Sequence, residues 1–340
     1  MISIKDIAKK LNVTPSTVSR ALNGKKGVSK ELSDKILKTC QEMGYRKNAI
    51  AQSLITNETK LIGMIIPDIT SRYYSFIVKG INTYLDEQGY SVILCNANRS
   101  AKTEQNYIEL LLSRRVDGII IISLTATEET LLSIAATGTP VVQIDNAISD
   151  KLSSVTNDNY RGSSALFEHM VQLGCRRIGL MLGRVENKTT IDRLRGFTDV
   201  MARHKIKVDE RLIINIDSTD LDAYKNTPRL LEYNPDSIFA INDNVALGVL
   251  RYCMDHNIRV PEELRLAGYD DLDIANMIHV PLTTVHQLKS TLGKAAAHLI
   301  LQEIKNPKDP HQHITMIPHL VVRQSCGEHL EQKPAPFNGK

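Results

Sequence analysis

The chain has no apolar stretch approaching the ~20 residues of a bilayer-spanning helix. Its longest apolar runs, such as 118–122, have the length of a buried strand. Lys5 and Asp6 interrupt the N-terminus before an apolar signal core can form, so no secretory leader is expected. Cysteine is sparse: Cys40, Cys95, Cys175, Cys253 and Cys326 are scattered, odd in number and include no C-x-x-C pair. That excludes a disulfide framework and a structural zinc site, and it points to a reducing cytoplasm. No G-x-G-x-x-G follows the first strand pattern, and there is no P-loop and no G-x-S-x-G. His311 and His313 fall in a polar loop and read as solvated, while Asp243, Asp270 and Asp271 have no His or Lys beside them to complete an acid–base set. Catalysis, a cofactor, a metal and a membrane partner are therefore not expected.

With 340 residues, 42% hydrophobic and 24% charged, the chain can build two or three ordinary globular domains. Its net charge of +4 is unevenly spread. Residues 1–60 carry ten Lys and two Arg against five acidic residues, a net +7; the remaining 30 basic and 33 acidic residues leave −3. A compact basic segment on a slightly acidic body fits a nucleic-acid-binding head, and on charge alone it equally fits a set of solvated, Lys-rich helix faces.

The helix pattern narrows the choice. Ser3 and Asp6 resemble a capping box, followed by Ile4, Ile7, Ala8 and Leu11 at helical spacing. After a break at Asn12–Val13, Thr14 serves as N-cap and Pro15 occupies the first helical position, where its missing N–H costs nothing. This second helix ends at Asn23–Gly24. Ser29 caps a third, with Leu32, Ile36, Leu37 and Met43 on its apolar face. Two short helices joined by a tight turn and braced by a third make a helix-turn-helix, the alternative being a generic three-helix bundle with a polar face. The second helix turns Ser16, Thr17, Ser19 and Arg20 outward, with Val18 and Leu22 toward the core. Hydroxyls reach phosphates or bases, and an Arg donates two hydrogen bonds to a guanine edge.

Three stretches, 4–8 (Ile-Lys-Asp-Ile-Ala), 13–23 (Val-Thr-Pro-Ser-Thr-Val-Ser-Arg-Ala-Leu-Asn) and 44–54 (Gly-Tyr-Arg-Lys-Asn-Ala-Ile-Ala-Gln-Ser-Leu), closely resemble the headpiece and hinge of the LacI/GalR family of bacterial repressors. The resemblance runs to about residue 326. It implies that Thr14, Pro15, Ser16, Thr17, Ser19, Arg20, Asn23, Ser29, Tyr45, Asn48, Ala51 and Leu54 face DNA, and that Leu54 wedges into the minor groove at the operator centre. Seven residues, 48–54, are too few for a stable isolated helix, so this segment should order only against a partner.

From Leu61 the period changes. Strand-like runs (61–66, 91–95, 118–122, 141–144) alternate with helical stretches, and a second set begins at Arg177 (178–182, 212–216, 237–241, 264–267). This reads as parallel β-α-β units in two like lobes, completed by a helix over 288–303 and strands within 314–322. The expected architecture is an all-α helix-turn-helix headpiece (1–47), a hinge and linker (48–60), and an α/β two-lobe core resembling periplasmic binding proteins (61–326), with two hinged parallel sheets. The N-lobe is expected at about 61–160 and 291–320, the C-lobe at about 161–290 and 321–326, and a flexible tail over 327–340.

Residues at the carboxyl ends of parallel strands converge on one crevice. Asp68, Asp145, Asn242, Asp243, Asp270 and Asp271 follow strands there, and Arg193 opens a helix. By resemblance, Tyr73, Tyr74, Asp145, Arg193, Asn242 and Asp270 contact a small effector; Asp243 is expected to cap its own helix. Three departures from the family pattern stand out: 68–74 reads Asp-Ile-Thr-Ser-Arg-Tyr-Tyr, Ser218 occupies a position often aromatic, and the recognition helix begins Pro15-Ser16. The expected function is a cytoplasmic, homodimeric, sequence-specific repressor binding a palindromic operator under control of a sugar-like effector. A catabolite-control-type regulator tuned by a phosphoprotein partner is the alternative within the family. A transporter's solute-binding protein would share the two lobes but have no basic head. Arg193→Ala is expected to abolish the effector response and leave the fold intact.

Overall fold

The chain packs as two units that divide between residues 59 and 60. The computed structural model describes residues 2–24, 26–45 and 58–327. The hinge positions 48–57 and the tail beyond Gly327 lie outside the described residues.

In the first unit, helix α1 (Ile4–Leu11) starts where the Asp6 carboxylate accepts from the Ser3 N–H at 2.8 Å and from its hydroxyl at 2.7 Å. It ends at Asn12, in the left-handed region with φ 53°. Helix α2 (Pro15–Leu22) is capped by Thr14, whose hydroxyl oxygen accepts from the Thr17 N–H at 3.2 Å. Helix α3 (Lys30–Glu42) starts at Ser29, which accepts from the Leu32 N–H at 3.3 Å. Ile7, Ala8, Val18, Ala21, Ile36 and Cys40 form the small core, and Leu22 packs at its margin. Leu37, expected on the buried face, is 47% exposed. One step from Ile36 turns a side chain about 100° around the helix, and Cys40, one turn on, fills the inward place instead.

In the second unit, β1 (Leu61–Ile66), α4 (Arg72–Glu87), β2 (Ser91–Asn96), α5 (Ala101–Ser113), β3 (Gly118–Ile121), α6 (Glu128–Ala136), β4 (Val141–Ile144) and β5 (Ser154–Asn157) build the first lobe. The chain enters the second lobe with α7 (Asn159–Gln172). It continues through β6 (Ile178–Leu182), α8 (Lys188–Arg203), β7 (Ile213–Asn215), α9 (Asp220–Leu231), β8 (Ser237–Ala240), α10 (Asp243–Asp255), β9 (Arg265–Ala267) and the single turn α11 (Ile274–Met277). After β10 (Thr284–His286) it returns to the first lobe for α12 (Lys289–Lys305) and β11 (His313–Met316), then leaves again into β12 (His319–Val321). The first sheet has the order β11-β5-β4-β3-β1-β2 and the second β7-β6-β8-β9; every pairing within them is parallel. β10 and β12 form an antiparallel ribbon. The chain thus crosses between lobes after Asn157, after His286 and after Met316, the arrangement of a hinge.

Helix α12 lies so close along α4 that a Cβ at Gly80 would sit 2.2 Å from the Ser290 carbonyl oxygen, and one at Gly293 2.2 Å from that of Ile77. Elements β5, β10 and α7 do not stand out in the sequence, and packing explains why. Strand β5 is interior yet polar, its Ser154 bonded to His313 at 3.0 Å and its Asn157 to Tyr73 at 3.3 Å. Helix α7 carries Gly162 and Ser163, poor helix formers, where neighbours press in: a Cβ on Gly162 would meet the Tyr269 hydroxyl at 2.3 Å, and a Cβ on Gly196 of α8 would meet Ser163 Oγ at 2.0 Å.

Candidate functional site

Two sets of residues carry candidate function. In the headpiece, Thr14, Pro15, Ser16, Arg20, Asn23 and Ser29 are exposed, and Thr17, Ser19 and Tyr45 are half-buried. The Thr14 hydroxyl lies 2.7 Å from Ser16 Oγ and 2.9 Å from Thr17 Oγ1, so the cap ties these three hydroxyls together at the start of α2. Arg20, one turn further along, projects from a helix otherwise lined by small polar groups, a shape suited to a DNA groove. Asn48, Ala51 and Leu54 lie outside the described residues.

In the second unit a cleft of about 380 Å³ lies at the carboxyl ends of both sheets. Tyr73, Tyr74, Asp145, Arg193, Asn242 and Asp270, drawn from both lobes, all line it. Several wall residues hold unusual backbone: Asp145 (φ 67°), Ser218 (φ 57°), Arg99 (φ 56°) and Asp270 (φ 113°) occupy the left-handed half of conformational space, which costs free energy for any non-glycine residue. The chain turns sharply where each strand delivers its last side chain. Helices α4, α8, α9 and α10 begin at this rim, so their positive dipole ends favour oxygen-rich groups there.

Arg193 is the electrostatic centre. It is 6% exposed; its Nε donates to Asn159 Oδ1 at 2.9 Å, its Nη1 donates to the Ile241 carbonyl, and its guanidinium lies 3.6 Å from the centre of the Tyr269 ring. Nη2 makes no hydrogen bond among the described residues. The Tyr73 hydroxyl lies 3.1 Å from Asp145 Oδ1 and 3.3 Å from Gln287 Oε1, and the Gln287 amide donates to Asp270 Oδ1 at 2.6 Å. Lys289 Nζ donates to the Asp270 and Asp271 carbonyls. Burial pushes the Asp145 and Asp270 carboxyls above the ordinary carboxylate range, against the pull of Arg193. Burial likewise raises the Tyr73 and Tyr74 hydroxyls, so both stay protonated; their rings meet edge-on at 5.4 Å. Two desolvated carboxylates sharing one guanidinium have acceptor capacity to spare, which the hydroxyls of a polar ligand can fill.

The cap of α10 is Asn242, not Asp243: Asn242 Oδ1 accepts from the Val245 N–H at 2.9 Å. Asp243 is fully buried and accepts from the Leu272 N–H and the Thr284 hydroxyl, each at 2.7 Å, tying down the loop that follows β9. Asp68 holds its own turn, accepting from the Thr70 N–H at 2.9 Å and hydroxyl at 2.7 Å. Burial would raise the Asp271 carboxyl, but hydrogen bonds from Arg323 (2.6 Å) and His286 (2.7 Å) outweigh it and leave it below the ordinary range. The cleft also recruits Arg99, Asn146, Arg184 and Asn187, which sequence reading passed over. Arg184 and Asn187 follow β6 just as Asn242 follows β8, so the strand-end rule itself could have found them. Asn146 bridges the lobes: its Oδ1 accepts from the Lys188 N–H at 3.2 Å, and its Nδ2 donates to the Ser123 carbonyl at 3.2 Å.

Among the described residues no group of His, Cys, Asp and Glu could hold a metal ion, and no helix is long and apolar enough to cross a membrane. Residues 59–325 match the family of periplasmic binding proteins and sugar-binding domains of the LacI family, and residues 3–48 match bacterial regulatory proteins of the lacI family. The chain is 30% identical to the HTH-type transcriptional repressor PurR of Haemophilus influenzae (strain PittEE), covering 96% of this chain and 98% of that protein. It is 31% identical to PurR of Pasteurella multocida, covering 97% and 100%. Among solved structures, the lac repressor dimer bound to operator and the anti-inducer ONPF aligns with a TM-score of 0.87 at 25% identity, covering 96% and 99% of the two chains. A LacI family regulator from Enterococcus faecium with bound ribose aligns at 0.73 and 27% identity, covering 78% and 98%. These relatives are regulators rather than enzymes, and with a helix-turn-helix head and a two-lobe binding core the chain belongs to the LacI family of bacterial DNA-binding transcriptional regulators.

Proposed function

We infer that this chain is a cytoplasmic repressor that binds a palindromic operator as a homodimer, and that a small sugar-like effector in the inter-lobe cleft sets its affinity for DNA. The observation that carries the effector is the convergence of Tyr73, Tyr74, Asp145, Arg193, Asn242 and Asp270 from both lobes on one cleft. A ligand touching both lobes binds their closed arrangement best, and it shifts DNA affinity only through that difference. The buried Arg193, with Nη2 to spare, favours a small molecule over control by a protein partner alone. The solved relatives that carry an operator or ribose support the same assignment.

On the DNA side, Ser16, Thr17, Ser19 and Arg20 read the major groove, Thr14, Pro15, Asn23, Ser29 and Tyr45 position the head, and Asn48, Ala51 and Leu54 act at the minor groove. Leu54→Ala then removes most of the DNA bend and weakens specific binding far more than non-specific binding. The assignment is tested by selecting binding sites from random duplex DNA with the full chain, then titrating the complex with a panel of monosaccharides and disaccharides. The expected product is a palindrome with half-sites about one helical turn apart, released or tightened by at least one sugar. Asymmetric sites, or a complex indifferent to every sugar, would sink it.

A further inference from the structure

The ribbon of β10 and β12 meets the crossing segments at a pair of histidines. His286 is the last residue of β10 before the chain leaves for the first lobe, and His319 is the first residue of β12 after it returns. The two are directly paired in the antiparallel register, so they form the last rung of the ribbon at the mouth of the hinge. Their ring centres lie 4.8 Å apart, with the planes tilted by 33°. His319 is exposed and His286 half-buried, so protons reach both. In this arrangement the lobes are bridged: Asn146 accepts from the Lys188 N–H at 3.2 Å, and Arg99 Nη1 donates to the Asp217 carbonyl at 3.5 Å. The rung is also tied to the cleft, because the carbonyl of Val285, beside His286, accepts from the Asp270 N–H at 3.0 Å.

The charges around the rung favour one proton and oppose a second. His286 Nδ1 lies 2.7 Å from Asp271 Oδ2, so a proton on that ring gains an ion pair. The other oxygen of Asp271 is held at 2.6 Å by Arg323, whose guanidinium already balances the carboxylate. Lys289, at the start of α12, adds an ammonium on the Asp270 and Asp271 carbonyls, with Asp273 acting on it from the same loop. Burial pushes the Asp243 and Asp270 carboxyls up, so both lose negative charge as pH falls. From α7 the ribbon meets Gly162, where a Cβ would come within 3.2 Å of Val285 and 2.8 Å of Pro318; the α7 cap, Asp158, is spent on the Arg161 N–H at 2.9 Å. Among the described residues no carboxylate pairs with His319.

We propose that the His286–His319 rung is a proton-sensitive latch of the hinge. With one proton or none, the rings stay together and the lobes stay bridged. A second proton sets two like charges directly opposite each other on neighbouring strands, where they repel. The strands part from this rung into the crossing segments, so widening it turns the lobes away from each other and opens the cleft. Imidazole is the side chain that changes charge between about pH 5 and 8, so mild acid is enough. The inference concerns the hinge alone and holds whatever ligand the cleft takes.

Pulsed electron paramagnetic resonance on the DNA-free full chain tests it. Spin labels on Lys102→Cys and Glu186→Cys, exposed positions on the first and second lobes, report the lobe separation; the five native cysteines are buried. Dilution with unlabelled chain removes distances between copies. From about pH 7.5 to about pH 5.5 the longer-distance population should rise about fivefold or more with both histidines present. It should stay where it was in His319→Gln and in His319→Phe, the second of which keeps a ring on the rung but no charge. Melting curves check that these variants fold, and either one alone decides the outcome. Asp145 and Asp270 gain protons over the same range and are intact in every variant. A shift that persists without His319 would therefore assign the opening to the cleft carboxyls and overturn the proposal. An unmoved distance distribution with both histidines in place would overturn it as well.

Discussion

The headpiece and the cleft solve opposite problems with the same residue types. In the headpiece the polar side chains stand on the outside of short helices and their caps, over a core of a few apolar residues, in unstrained backbone. In the cleft, Arg193 and Asp270 are each 6% exposed, supported by carbonyls, amides and an aromatic ring, and several wall residues sit in left-handed backbone. A head meant to touch a large partner can keep its contacts solvated until binding. A cleft that must enclose a small ligand has to desolvate polar groups in advance and balance them internally. Changes at exposed, uncommitted positions of the head such as Arg20 should therefore alter binding alone, and changes in the cleft should alter stability as well.

Salt separates the two most strongly. If operator binding neutralises about 6–10 phosphates, operator affinity should fall ~10³–10⁵-fold between 50 and 200 mM salt, measured by fluorescence anisotropy. Affinity for a neutral effector, measured by calorimetry on DNA-free protein, should hardly move across the same range. A salt-insensitive operator complex would break the contrast.

Arg193→Ala comes next. It strips Asn159 and the Ile241 carbonyl of their donor and leaves Asp145 and Asp270 without their shared cation. It should abolish the effector response and also destabilise the second unit by about 3 kcal/mol in urea titration. This differs from the sequence-level expectation of an intact fold, because burial turns a ligand contact into a structural tie.

Arg20→Ala should cost ~1–3 kcal/mol of operator affinity and relax one position of each half-site. Being exposed, it should leave unfolding within ~0.5 kcal/mol of the parent. An equal loss on every DNA sequence would make Arg20 a phosphate contact instead.

The smallest effect is Asp270→Asn. Burial pushes the Asp270 carboxyl up to about 6, so the folded chain holds that proton more tightly than the unfolded one. Its contribution to stability therefore falls as pH rises from 3.8 through about 6. Asn, which tolerates positive φ, removes the buried charge. The variant should be more stable than the parent by about 1–2 kcal/mol at pH 7.5, with the gain shrinking toward pH 4 and the effector response lost. A gain independent of pH would show that the charge is not its source.

The headpiece was legible almost entirely from local signals. Thr14 and Ser29 cap the helices they begin, Gly44 takes the left-handed turn beyond α3, and the apolar spacing marks the core apart from Leu37. In the core, the strand-end rule and the family resemblance together brought six residues to one cleft. They did not reveal that Asn242 rather than Asp243 is the cap, because both residues have capping chemistry and only the backbone path decides which carboxyl or amide reaches Val245.

What the sequence determined by itself is what depends on neighbours along the chain. Caps, periodicity and the uneven charge specify a basic helix-turn-helix head, and the strand–helix alternation specifies two parallel α/β lobes. What only the tertiary structure decided is what depends on segments far apart in sequence. Polar β5 becomes an interior strand because β4 and β11 flank it, and α7 forms despite Gly162 and Ser163 because Tyr269 and α8 pack so closely that only small residues fit there. Asp145, Arg193 and Asp270 become one buried charge system because separate turns carry them to the same crevice. The free energy of such contacts belongs to pairs of distant residues, so no local pattern can announce it.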